Sequence, residues 1–268
     1  MARRLKALRE QNMMSLDEVS KRMYFSDSKL SRIENCENRI THHELKSLLD
    51  IYGVTADRWP EYFAMLEASV VGGWWRAYGL PEKGYLPLEA DASLVRCYSL
   101  AIVPGLLQTH EYARAGFQRS IRQLSPEQVK RDVRIRMIRQ KRLTSATDPL
   151  RLVSIVDEVA LHRPAGNSEI MVAQLEHLIE KAVLGNVTLQ VLPTSLGSHP
   201  GQNGSFSVLS FDDAGEPDVA YVEHPLGSMH TEREAIVTKA RTRFDHLQSL
   251  ALPPEESAAL IRRIAERY

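Results

Sequence analysis

In the N-terminal part of the chain, apolar residues recur at spacings of three and four in short runs, and polar or turn-forming residues break each run. That periodicity predicts several short helices and no strand. Leu5 and Leu8 share one face of a basic stretch from Ala2 to Gln11. Leu16, Val19 and Met23 define a second helix, opened by Ser15 with Glu18 three residues on, the spacing of a capping box. After Tyr24-Phe25, Ser26 is placed to cap a third helix. Its Leu30 and Ile33 point inward, while Asp27, Ser28, Lys29, Ser31 and Arg32 are left to face out. Leu45, Leu48, Leu49 and Ile51 mark a fourth helix between His43 and Tyr52. Four such helices close into a small bundle around one core.

Residues 56 to 72 continue the helical spacing through Trp59, Phe63, Leu66 and Val70, and end at Gly72-Gly73, which suits a connector. Trp74, Trp75, Tyr78 and Tyr85 then form an aromatic concentration in a chain that is only 7% aromatic. A helix is predicted from Pro104, a favoured first helical residue, to Gly116, and another from Ser125 to Leu143. From there the pattern changes. Strands are predicted at Leu150–Val156, Val187–Leu192, Ser205–Phe211 and Val219–Glu223, the last two flanking the turn-rich DDAGEPD. Helices are predicted over Asn167–Leu184, Glu232–Leu250 and Pro254–Arg267. The expected fold class is therefore mainly α with α+β. It comprises an N-terminal helix-turn-helix bundle (1–58), a helical connector (59–73) and a C-terminal α+β domain (74–268). The sheet is expected to be small and largely antiparallel, with about four strands.

Two short helices joined by a tight turn, the second polar on its outer edge, are how a helix-turn-helix offers a recognition helix to the major groove. A plain amphipathic pair within a core has the same periodicity, but the flanking helices favour the first reading. Arg32 is suited to a bidentate pair with guanine O6 and N7. Lys29 suits a phosphate, a contact that positions without reading sequence. Two readings stay open for Asp27: acceptance from cytosine N4, or simple stabilisation by the helix dipole, which favours an acid in a first turn.

The segment SKLSRIEN resembles the recognition helix of phage-repressor-like (XRE-type) regulators, whose usual pattern is Ser-x-x-x-Ile-Ser-x-Ile-Glu-Asn-Gly. The resemblance covers residues 1 to about 55. It implies that Ser26, Asp27, Ser28 and Arg32 meet base edges or adjacent phosphates, and that Asn35 and Arg39 touch the backbone just beyond. It also implies a structural ion pair between Arg9 and Glu34. The chain departs from the pattern at Tyr24, where a turn glycine is usual, and at Cys36, where a capping glycine is usual. It also starts almost inside its first helix. Farther on, GWWRAY, VPGLLQT-x-x-YARA, LSPEQV, VTLQVLP and ESAALIRR resemble a large actinobacterial group of XRE-type regulators. In that group a long C-terminal domain of unassigned role follows the DNA-binding domain. The resemblance implies an antitoxin-like transcriptional regulator, often encoded beside a small partner protein.

Composition adds limits. Hydrophobic content of 43% and charged content of 25% are those of a folded soluble protein. No apolar run is long enough for a membrane span, and no leader pattern opens the chain. Cys36 and Cys97 have no metal or redox spacing, so a reduced, cytoplasmic protein is expected. The 34 basic and 34 acidic residues cancel. Residues 1–58 hold 11 Lys/Arg and 9 Asp/Glu, a difference of +2. So small an excess predicts weak non-specific binding, hence a homodimer placing two recognition helices on double-stranded DNA. The basic run Lys130 to Arg142 is either a second DNA-facing surface or a solvated helix face.

Asp157, Glu158, His162, Glu176, His177 and His199 are chemically capable, but none has metal-ligand or nucleophile-elbow spacing. No enzyme, cofactor or metal is expected. Trp74, Trp75, Tyr78, Tyr98, Tyr112, His199 and Tyr221 are candidates for a pocket or interface; filling the core is the alternative for the aromatics. The long loop from Ser195 to Gly204 suits a lid, a partner-binding loop or a plain connection.

Overall fold

In the computed structural model the N-terminal unit, Met1–Arg76, is built from α1 (Ala2–Gln11), α2 (Leu16–Met23), α3 (Asp27–Glu34), α4 (His42–Ile51) and α5 (Trp59–Val71). The structure describes every residue except 36, 37, 39, 72–74, 76, 77, 79–83, 122, 213–215 and 225; at 3, 27 and 68–71 it describes the backbone alone. Cys36, Arg39, Trp74 and the Gly72-Gly73 helix end thus lie outside the described residues, as does the side chain of Asp27.

Leu5, Val19, Leu30, Ile33, Leu45, Leu48 and Leu49 are almost wholly buried together and form the core of this unit. They are the positions at helical spacing, so periodicity alone selects them. Two capping boxes fix where helices begin. Ser15 Oγ accepts from the Glu18 amide at 3.2 Å while Ser15 N–H donates to the Glu18 carboxylate at 2.8 Å. Thr41 and Glu44 repeat the arrangement at the start of α4. The helix predicted as a connector, α5, buries Tyr62 and Leu66 in the same core, and Trp59 Nε1 donates to the Val54 carbonyl at 2.9 Å.

The second unit comprises Ala77–Asp212 and Pro217–Tyr268. Its elements are α6 (Tyr85–Asp91), β1 (Leu94–Ser99), α7 (His110–Gln118), α8 (Pro126–Gln140), β2 (Arg151–Asp157), α9 (Glu158–His162) and α10 (Ser168–Ala182). After them come β3 (Val187–Leu192), β4 (Phe206–Ser210), β5 (Val219–His224), β6 (Gly227–Thr231), α11 (Glu234–Leu250) and α12 (Pro254–Ala265). The strands form one mixed six-stranded sheet in the order β3-β2-β1-β4-β5-β6. β1 runs parallel to β2, with Leu94 opposite Arg151 and Ser99 opposite Val156, and β2 runs parallel to β3. The pairs β1–β4, β4–β5 and β5–β6 are antiparallel.

This corrects the expected sheet of about four largely antiparallel strands. The helices between β1, β2 and β3 return the chain to the same end of the sheet, which is the connection that parallel neighbours require. One face of the sheet is covered by α10 and α12, through Met171, Leu175, Leu178, Ile261 and Ile264. The other packs Tyr98, Ile155 and Leu192 against Phe244 and Leu247 of α11. Pro104 does not open a helix either. A short 3-10 turn occupies Gly105–Leu107, and α7 starts at His110, where Thr109 Oγ1 accepts from the Tyr112 amide at 3.2 Å.

The basic run from Lys130 to Arg142 is neither a uniform solvated face nor a DNA-facing surface at three of its arginines. Arg139 makes a bidentate pair with buried Glu89, both bonds 2.7 Å. Arg142 donates to the carbonyls of Glu89, Ala90 and Ala92. Arg136 donates to Gln108 at 2.6 Å. Within the described residues, no helix is long and apolar enough to cross a membrane.

Candidate nucleic-acid interface

The turn between α2 and α3 decides how α3 is presented. Tyr24 ends α2 in the left-handed conformation, φ 54° and ψ 35°. Its N–H caps the Lys21 and Ser20 carbonyls, and Phe25 N–H reaches the Ser20 carbonyl at 2.9 Å. Phe25 then packs on the core. This is a helix stop of the kind a glycine usually completes, made here by a tyrosine that is 96% exposed. The backbone keeps the turn instead of adjusting to the bulkier side chain.

Ser26 then stands in extended conformation at the N-cap of α3, without a side-chain capping bond. Leu30 and Ile33 anchor the helix inward, which turns Ser28 and Arg32 outward, both exposed. Arg32 lies back along its helix: Nη2 donates to Ser28 Oγ at 3.1 Å and Nε to the Ser28 carbonyl at 3.2 Å. Asn35 follows as the C-cap, exposed, with Nδ2 3.4 Å from Ser31 Oγ. Lys29 behaves differently from its neighbours. Its ammonium donates to Glu44 and lies 4.3 Å from the centre of the Phe25 ring. In the free protein it is engaged inward, tying α3 to the start of α4.

Arg9 and Glu34 face each other in a buried bidentate pair, Nε–Oε1 2.8 Å and Nη2–Oε2 2.9 Å. Arg9 Nη1 also donates to the Met14 carbonyl at 3.0 Å. Hydrogen bonding to Glu34 raises the Arg9 guanidinium above its ordinary pKa. The pair fastens the end of α3 to α1 and so fixes the tilt of the candidate recognition helix. For Glu44, burial pushes the carboxyl up, but hydrogen bonds from Lys29 and Thr41 outweigh it and hold the group below the ordinary carboxylate range. Arg22, which the sequence did not single out, is exposed in the last turn of α2, the helix that leads into the turn before α3. Its only signal was a basic residue at a helix C-terminus.

The aromatic candidates of the second unit do not converge on one pocket. Tyr98 and His199 meet at Asp157, whose Oδ2 accepts from the Tyr98 hydroxyl at 3.0 Å and lies 3.2 Å from His199 Nε2. His199 Nδ1 accepts from the Gly201 amide at 3.2 Å, and Asp157 Oδ1 from the Val159 amide at 3.0 Å. The chain at Gly201 passes so close to the Tyr98 ring that a Cβ there would lie 2.5 Å from it. The Ser195–Gly204 loop is thereby pinned to the sheet. Tyr221 stacks obliquely on Tyr85 at 4.7 Å, and Tyr112 is buried in the main core. Tyr78 is half-buried, with the Arg134 guanidinium 5.6 Å from its ring centre, and Trp75, which belongs to the N-terminal unit, is half-buried there. Burial raises the Cys97 thiol to about 11, so it is a packed residue and not a reactive one.

No curated protein and no solved structure gives a match to the chain. Residues 1–61 match a helix-turn-helix domain, so the N-terminal unit carries a fold built for DNA binding. Residues 83–263 match a domain of unknown function (DUF5753), and because that match covers more than half of the chain, the protein belongs to the DUF5753 family.

Proposed function

We propose that the protein is a sequence-specific, cytoplasmic transcriptional regulator of the XRE type, acting as a homodimer, in which the second unit receives a signal or a partner. The observation that carries the reading is the exposed Ser28–Arg32 edge of α3, backed by buried Leu30 and Ile33, in a unit that matches a helix-turn-helix domain. Arg32 leaves Ser28 to pair with a guanine edge, and Ser28 contributes a hydroxyl to a neighbouring base or phosphate. Ser26, Arg22, Asn35 and Arg39 serve the phosphate backbone. An excess of only two positive charges in residues 1–58 gives one unit little hold on DNA. Two copies with recognition helices about 34 Å apart supply it. Footprinting on DNA upstream of the protein's own gene tests this, together with sedimentation of the free protein. A monomer that protects no site sinks the reading.

A second reading, an antitoxin-like protein that sequesters a small partner, draws support from β6. This edge strand leaves Met229 57% exposed, with Leu226 93% exposed beside it. An open sheet edge of that kind accepts a strand from another chain. Co-purification with the neighbouring gene's product tests it, with Met229→Lys as the variant that should abolish capture.

The Tyr98–Asp157–His199 cluster is assigned a structural role. Its members satisfy one another and the backbone amides of Val159 and Gly201, which supports that role over activation of a nucleophile. His199→Gln should loosen the Ser195–Gly204 loop, read as faster amide exchange there, while DNA binding persists.

A further inference from the structure

In the second unit α7, Arg136 of α8 and the segment Arg163–Ala165 after α9 line a cleft of about 570 Å³, within the size range of small-molecule sites. Tyr112, Phe117, Ile102 and Ala115 give it an apolar wall. Arg119, Arg136 and Arg163 line it as well, and among the described residues no carboxylate does.

Arg136 is the informative residue. Its guanidinium lies 4.8 Å from the Phe117 ring centre and packs over Gly105, where a Cβ would stand 3.4 Å from it. Nη1 is held by Gln108 Oε1, and Gln108 is itself oriented by donating to the Val103 carbonyl at 2.7 Å. Nε is buried and has no hydrogen-bond partner among the described residues. In Arg9 and Arg139 the edge formed by Nε and Nη2 grips a carboxylate with two bonds. In Arg136 the Nε half of that edge is unfilled. A buried donor without an acceptor is costly, and a buried cation more so. Burial accordingly pushes the Arg136 guanidinium down to about 10.

We infer that this cleft binds a small organic acid: a carboxylate at Arg136, drawn in by Arg119 and Arg163, with an apolar body against Phe117, Tyr112 and Ile102. The site deepens the signal-receiving role proposed above and rests on that reading for its regulatory meaning. Carboxylate and guanidinium form a charge-assisted pair with matched geometry. The aromatic wall selects amphipathic acids over inorganic anions.

Isothermal titration of the full chain, without DNA, with 1-naphthoate, its uncharged amide and inorganic phosphate tests the inference. The expected result is saturable one-to-one binding of naphthoate, with the amide at least about tenfold weaker because it lacks the charge. Replacing Arg119 and Arg163 together by Met should weaken naphthoate by a similar factor, in a variant that alters only exposed side chains; Arg136→Met should abolish binding. The inference is overturned by absence of naphthoate binding, by equal affinity for the amide, by indifference to the double substitution, or by phosphate binding more tightly than naphthoate. Naphthoate binding in a protein that protects no DNA would overturn the regulatory reading and leave the site standing.

Discussion

Arg32 is held against Ser28 of its own helix, with Nη2 3.1 Å from the serine hydroxyl and Nε 3.2 Å from its carbonyl. The guanidinium therefore waits on the exposed edge of α3 in a weak, solvent-accessible arrangement. Both bonds are exposed, so exchanging them for a bidentate contact to guanine sacrifices little. Ser28→Ala removes one of them without touching the core. It should leave stability within about 0.5 kcal/mol of the parent, as for most surface changes. Affinity for a cognate site should change far less than with any substitution of Arg32. Thermal unfolding and gel-shift titration of the same preparation read the two effects.

Lys29 and Glu44 supply a pH dependence whose sign follows from the carboxyl. The folded protein holds Glu44 below its ordinary value of 4.5, since the bonds from Lys29 and Thr41 outweigh the upward push of burial. Its contribution is thus complete above pH 4.5, where the unfolded chain is also ionised. It is lost as pH falls through the lower folded value. The Tm gap between the parent and Glu44→Gln should be constant from neutral pH down to about that point and then close. A gap that widens on acidification would contradict this assignment. Because Lys29 is engaged inward, Glu44→Gln also frees an ammonium, and the salt dependence of DNA binding should steepen by up to about one counterion.

Tyr24 occupies the left-handed region at φ 54° while almost fully exposed. A side chain with a Cβ is strained there by roughly 1–2 kcal/mol. Tyr24→Asn keeps the backbone and relieves part of that strain, so it should stabilise the N-terminal unit by about 0.5–1 kcal/mol. Denaturant unfolding checks it. A loss of stability would mean that the exposed ring does something the turn geometry does not reveal.

Arg9 and Glu34 share two bonds in a buried setting. Removing one partner strands the other, so Glu34→Gln or Arg9→Met should cost about 3 kcal/mol. Unfolding of residues 1–76 should report it, with the second unit's transition unmoved.

How far the sequence revealed this molecule differs between its two units. The helical core from Leu5 to Leu49 follows directly from spacing, because an amphipathic helix records its buried face every three or four residues. Ser15 with Glu18 marked a helix start that the structure reproduces atom by atom. β1 escaped notice because Leu94–Ser99 lies between an aromatic cluster and a proline-led segment, and without it the alternation of strand and helix that signals a parallel sheet was incomplete. β6 escaped for the opposite reason. Its side chains are nearly all exposed, so no apolar alternation records a strand held by backbone pairing alone. Tyr98, Asp157 and His199 were each noticeable as single residues. Their meeting was not legible, since the sheet register brings them together from three distant segments. The inward turn of Arg136, Arg139 and Arg142 was likewise hidden, because a charge run does not say which of its members have buried partners.

One experiment tests α3 as the reading surface together with Arg32 as its specific contact. The decisive measurement is quantitative footprinting of the parent protein and Arg32→Ala on the selected site and on single-base variants of it, at fixed salt. The parent should protect a site, and Arg32→Ala should weaken binding by about 1–3 kcal/mol and lose discrimination at a single guanine position. A footprint unchanged in Arg32→Ala, or discrimination retained at every position, would remove Arg32 from the reading surface.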